Sequence, residues 1–228
     1  MLRDLLDAWR GRDLLSRMLN DFQDIMNKTE WMFASVSDVL QRKRAPEELS
    51  AELYRTDKEV NQTERAIRGE IVSNLIIRPD ADVAASLILM SVVKDAERIG
   101  DYCKNIFEVA QHYDLASDSD PHVAPLEATR LRIQSLFART GNAFMTSDEA
   151  EALGIAAEAE DVARWCDERI AELFHEELPA SKAVAYALLA RYFKRIASHL
   201  KNIASAVMGT VEDLDYPLGH IDGRAKRM

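Results

Sequence analysis

Apolar residues recur every three or four positions along most of the chain, the period of one face of an α-helix. Met18, Phe22, Ile25, Met26, Phe33, Val36 and Leu40 belong to a first stripe, Leu49, Leu53, Val60, Ile67, Ile71 and Leu75 to a second, and Val92, Ala96, Ile99, Cys103, Ile106 and Ala110 to a third. Prolines punctuate these runs. Pro46, followed by Glu47 and Glu48, suits a first helical turn, where acids meet the positive end of the helix dipole. Pro79 stops one run, and Asp80 can cap the next. Pro121 and Pro125 flank a polar stretch, and Pro179 splits a further long run. Thr146-Ser147-Asp148-Glu149 reads as a capping box. The pattern predicts six helices over 13–42, 46–77, 80–113, 125–144, 147–178 and 180–211. A short amphipathic piece (Leu2, Leu5, Leu6, Trp9) occupies 1–12, a linker 114–124 and a loose tail 212–228. Helices of roughly 30 residues are about 45 Å long. Such lengths with short connections predict an all-α fold of antiparallel three-helix bundles.

The third and sixth helices share a segment. Glu97-Arg98-Ile99-Gly100-Asp101-Tyr102-Cys103-Lys104-Asn105-Ile106 aligns without a gap on Lys194-Arg195-Ile196-Ala197-Ser198-His199-Leu200-Lys201-Asn202-Ile203, with five identities in ten. In the second and fifth helices Asp57, Asn61 and Glu64 fall opposite Glu160, Arg164 and Asp167. The chain therefore reads as two copies of a three-helix unit, 13–113 and 125–211.

Composition narrows the picture. Eight glycines and six prolines are too few for a turn-rich sandwich or barrel, and a net charge of −10 disfavours a nucleic-acid surface. Two cysteines cannot build a disulfide framework, so a reducing cytoplasm is the expected compartment. The uncharged run 83–93 is too short to span a bilayer.

The candidate chemistry is acidic. Asp57 and Asn61 are four apart, with Glu64 three further on, and Glu97 and Asp101 are four apart. Each spacing puts side chains one turn apart on one helix face. Asp57 and Asp101 are each 22 residues from Pro79, and Asn61 and Glu97 each 18, so a hairpin turning there sets the two pairs at one height. Gathered carboxylates repel unless protonated, paired with bases or bridged by a cation. Hard oxygen ligands suit magnesium, calcium, manganese or iron, while the plainer reading is a solvated face with salt bridges to Lys94, Arg65 or Arg98.

At these residues the sequence resembles the PhoU family of phosphate-uptake regulators. The resemblance lies in Glu97-Arg98-Ile99-Gly100-Asp101 followed by Asn105-Ile106, in the Asp57-Lys58-Glu59-Val60-Asn61 run and in Pro79. It implies two tandem three-helix repeats and a non-enzymatic cytoplasmic regulator, peripheral at the inner membrane face. Its implied partners are a phosphate transporter and a sensor histidine kinase at the membrane; a homodimer is a further expectation. It also implies a metal ion or cluster (iron, zinc, manganese or magnesium) on Asp57, Glu97 and Asp101, with Asn61 a weaker oxygen donor; Glu64 joins them from local geometry. The second repeat departs from the family pattern: Arg164, Lys194 and Ser198 stand where acids belong. Metal is therefore expected in the first repeat only.

Two rival readings are a metal-free helical scaffold and a ferritin-like di-iron enzyme. The latter needs Glu-x-x-His on two helices, and only Glu172-Leu173-Phe174-His175 has that spacing. Cys103 and Cys166 read as buried thiols, and no glycine loop for phosphates is present.

Overall fold

The computed structural model describes residues 13–77, 83–113 and 120–208. The amphipathic piece at 1–12, the turn at Pro79, most of the 114–124 linker and the tail from 209 lie outside the described residues. Within them the chain forms six helices and no strand: α1 (Asp13–Leu40), α2 (Pro46–Ile77), α3 (Val83–His112), α4 (Val123–Thr146), α5 (Glu149–Leu173) and α6 (Ala180–Ser205).

Helix ends follow local chemistry. α1 stops at Leu40, and Arg42 takes a left-handed conformation (φ 58°) that turns the chain back. α4 runs on to Thr146, whose hydroxyl donates to the Asn142 carbonyl, and Ser147 closes it with φ 52°. The N-cap of α5 is therefore Asp148, whose carboxylate accepts from Glu151 N–H at 3.0 Å. The cap thus falls two residues later than the Thr146 reading placed it, and it is a single cap rather than a capping box: the Asp148 N–H donates to the Ala143 carbonyl and the Glu151 carboxylate pairs with Arg139. α5 ends at Leu173 rather than 178; Pro179 is the N-cap of the next helix and disfavours a helical conformation at Leu178 itself.

In each half the helices pack as the repeat suggests, α2 on α1 and α3, and α5 on α4 and α6. The halves meet through α1 on α4 and α3 on α6. Phe22 packs tilted against Phe144 with ring centroids 4.8 Å apart, and Phe33 lies against both Phe137 and Phe193. All five rings belong to one continuous buried cluster drawn from both repeats. The two bundles thus share a single core, with α2 and α5 on its outer flanks. No helix among the described residues is long and apolar enough to cross a membrane.

Candidate functional site

The acidic face of the first repeat forms where α2 and α3 lie side by side. Val60 and Ile67 on α2, and Ala96, Ile99 and Cys103 on α3, are fully buried and fix which way each helix turns. That rotation leaves Asp57 and Glu64, and Glu97 and Asp101, at the edge of the seam. The hairpin arithmetic holds at the Asp57–Asp101 level, where one ammonium joins the two helices. Lys104 Nζ lies 2.9 Å from Asp57 Oδ2 and 3.0 Å from Asp101 Oδ1. Burial alone would lower the Lys104 pKa, but hydrogen bonds and charge from Asp57 and Asp101 outweigh it and raise it above the ordinary lysine value. Lys104 is therefore held as a cation.

The other expected ligands turn to separate partners. Asn61 donates its Nδ2 to Asp57 Oδ2 at 3.2 Å, so its amide is a donor here rather than an oxygen ligand. Glu64, almost fully buried, pairs with Arg68 at 2.8 Å. Glu97 pairs with Lys94 at 2.7 Å and lies 4.0 Å from Arg98, which also reaches Asp101 at 3.5 Å. Four carboxylates face four cations. Among the described residues no group of three or more His, Cys, Asp or Glu is arranged to hold a metal ion. In this arrangement Asp57, Asn61, Glu64, Glu97 and Asp101 do not fit a metal cluster, because protein cations take the lone pairs that a metal would use.

The corresponding face of the second repeat is a shallow groove of about 330 Å³ lined by Glu160, Arg164, Asp167, Lys194, Ser198 and Lys201. Glu160 pairs with Lys201 at 2.9 Å, not with Arg164, which turns to Asp161. Lys194 binds both oxygens of Asp167. Ser198 donates to the Lys194 carbonyl.

Sequence reasoning missed a polar cluster between the repeats. Asp95 on α3 is buried and lies 2.6 Å from His199 Nδ1 on α6; Asn202 Nδ2 donates to the same oxygen at 3.1 Å. The His199 ring stacks on Tyr102 with centroids 5.7 Å apart, and Arg195 Nε donates to the Tyr102 hydroxyl at 2.9 Å. Tyr102 and His199 are equivalent positions in the repeat alignment, so the pseudo-two-fold axis passes between them. The signal was there in that alignment, but no spacing rule links residues in different repeats.

The rival constellations do not assemble. Glu172 and His175 are exposed at the end of α5, and Glu172 pairs with Arg169. Cys103 and Cys166 are fully buried. Burial, helped by the Asp57 charge, pushes the Cys103 thiol far up; burial and Asp167 push Cys166 up to about 12. Neither is a ready thiolate.

The stretch from Phe22 in α1 to Ala110 in α3, which contains the whole acidic face, matches the PhoU family model. The fold of the entire chain agrees with solved PhoU structures. PhoU from Pseudomonas aeruginosa superposes with a TM-score of 0.74 at 21% identity, over 86% of this chain and 95% of that one. The phosphate transport system regulatory protein PhoU from Streptococcus pneumoniae gives 0.68 at 18% identity, with the same coverage. No curated protein matches. The structural likeness therefore extends through α4–α6, beyond the PhoU domain match, and establishes a shared fold for both repeats.

Proposed function

We propose that this chain is a non-enzymatic regulator of phosphate uptake that works by contact with a phosphate transporter, a sensor histidine kinase or both, from the cytoplasmic side of the membrane. The PhoU domain match over 22–110 carries the reading. Its support is the all-helical fold common to the chain and to a phosphate transport system regulatory protein.

Deleting the gene in its host is the direct test. Phosphate uptake, or expression of phosphate-starvation genes, is expected to change, and a copy of the gene is expected to restore it. Unchanged uptake and expression in phosphate-rich and phosphate-poor media would refute the reading.

The scaffold reading has one observation in its favour: every carboxylate of the acidic face already has a protein cation. It differs from the regulator reading in needing no metal, and the two are compatible.

A further inference from the structure

We propose that Lys104 is the built-in cation of the acidic face: its tethered ammonium takes the place of a metal ion between Asp57 and Asp101, and makes this face metal-independent. The inference concerns the chemistry of the site and does not rest on the phosphate-regulator reading.

Three observations carry it. The first is geometric. Lys104 Nζ bonds Asp57 on α2 and Asp101 on α3 at 2.9 and 3.0 Å, so one ammonium bridges the two helices as a bound ion would. The Asp57, Asp101 and Lys104 side chains are 12%, 31% and 20% exposed, which leaves the bridge only partly screened by water. A free ion would have to expel an ammonium that the chain cannot dilute away.

The second observation is the repeat. Lys201 is the counterpart of Lys104, and Glu160 the counterpart of Asp57. They form the same α6-to-α5 bridge at 2.9 Å. The surroundings have changed between the halves: Asp101 has become Ser198 and Asn61 has become Arg164. The lysine-to-carboxylate bridge is what both halves retain. A chance salt bridge has no reason to recur at equivalent positions while its neighbours diverge.

The third is the state of the remaining donors. Asn61 spends its amide N–H₂ on Asp57, Glu64 is held by Arg68 and Glu97 by Lys94. Even with Lys104 swung away, only Asp57 and Asp101 would be released, and Asp101 would still have Arg98 beside it.

The full-length chain, offered Mn²⁺, Zn²⁺ or Fe²⁺ without oxygen, then desalted and analysed for metal, tests this. The wild type is expected to keep no stoichiometric metal. Lys104→Met preserves side-chain length and removes the charge. In equilibrium titration it is expected to bind Mn²⁺ or Zn²⁺ through the two released carboxylates, weakly in absolute terms but about tenfold more tightly than the wild type, because a competing positive charge at this range shifts an ionic equilibrium by one unit or more. Adding Asp57→Asn should abolish the gain. Lys201→Met should gain nothing, because it frees one carboxylate only. Stoichiometric metal in the wild type that Asp57→Asn removes would overturn the proposal, as would a folded Lys104→Met with no gain. Should Lys104→Met fail to fold, NMR of the wild-type lysine ammonium groups decides. A slowly exchanging Lys104 signal that shifts on Asp57→Asn supports the bridge, and a signal like free lysine, indifferent to Asp57, overturns it.

Discussion

Gly100 stands inside α3, in the middle of the Glu97–Asp101 run, where glycine costs about 1 kcal/mol relative to alanine. A methyl group there would meet Thr29 Cγ2 at 3.6 Å, Met32 Sδ at 3.7 Å and Asp57 Oδ1 at 3.8 Å, all ordinary van der Waals contacts. The packed chain therefore does not require glycine at this position. Gly100→Ala is expected to raise the thermal unfolding midpoint, with a gain of about 0.5–1 kcal/mol. A fall in the midpoint would show that Asp57 and Lys104 need the space. At this scale part of the geometry was legible: the equal distances of Asp57 and Asp101 from Pro79 placed them at one height, where Lys104 now joins them. Lys104 was not singled out, although it lay in the aligned repeat. A lysine three residues from an aspartate reads as an ordinary surface pair, and only the neighbouring helix reveals that it also serves Asp57.

The elements were legible because proline and apolar spacing act locally. Pro46 and Pro179 mark helix starts as the sequence reading placed them. The errors fall at ends, where two local signals compete. Thr146 and Asp148 can each cap a helix, but α4 extends far enough to absorb Thr146, which leaves Asp148 as the cap of α5. The two registers predict different mutants. Asp148→Ala is expected to cost about 1 kcal/mol, the usual loss for an N-cap, and Thr146→Ala only a few tenths. Urea denaturation of both variants checks this, and the reverse order would restore the earlier register. α5 was read too long because Pro179 was taken as its boundary, whereas the helix stops at Leu173. Phe174 is 83% exposed.

Across the whole molecule, the corner where α3, α5 and α6 converge is tied by one carboxylate. Asp120 accepts from Lys182 at 2.7 Å, from the Tyr186 hydroxyl and from the His122 backbone N–H. His122 in turn reaches Glu176 beyond the end of α5, and Tyr113 at the end of α3 packs against Tyr186. Burial would raise the Asp120 pKa, but the Lys182 and Tyr186 bonds prevail and hold it below the usual 3.8. A carboxylate with a depressed folded pKa stabilises the fold at pH above its unfolded value, and that contribution is lost as pH falls through the folded one. The stability difference between wild type and Asp120→Asn should therefore be full near neutral pH and shrink at pH below 3.8. Equal stability of the two proteins at neutral pH would dismiss the tie. The polar stretch 114–120 was read as a plain linker because nothing in its sequence points to Lys182 or Tyr186, more than sixty residues on in the chain.

The Tyr102–His199 stack has an implication for how such a molecule can change over time. Two separate identical chains meeting about a two-fold axis must carry every interface residue twice, so a one-sided change is not available to them. Here both sides of the axis belong to one polypeptide. On one side Asp95 grips His199; on the other the same two positions are Tyr192 and Tyr102, ring against ring at 6.1 Å. An acid–imidazole pair and an aromatic pair occupy mirror places in one assembly. Tandem fusion frees each half from copying its twin, so one face can specialise for one partner while the other keeps the fold together.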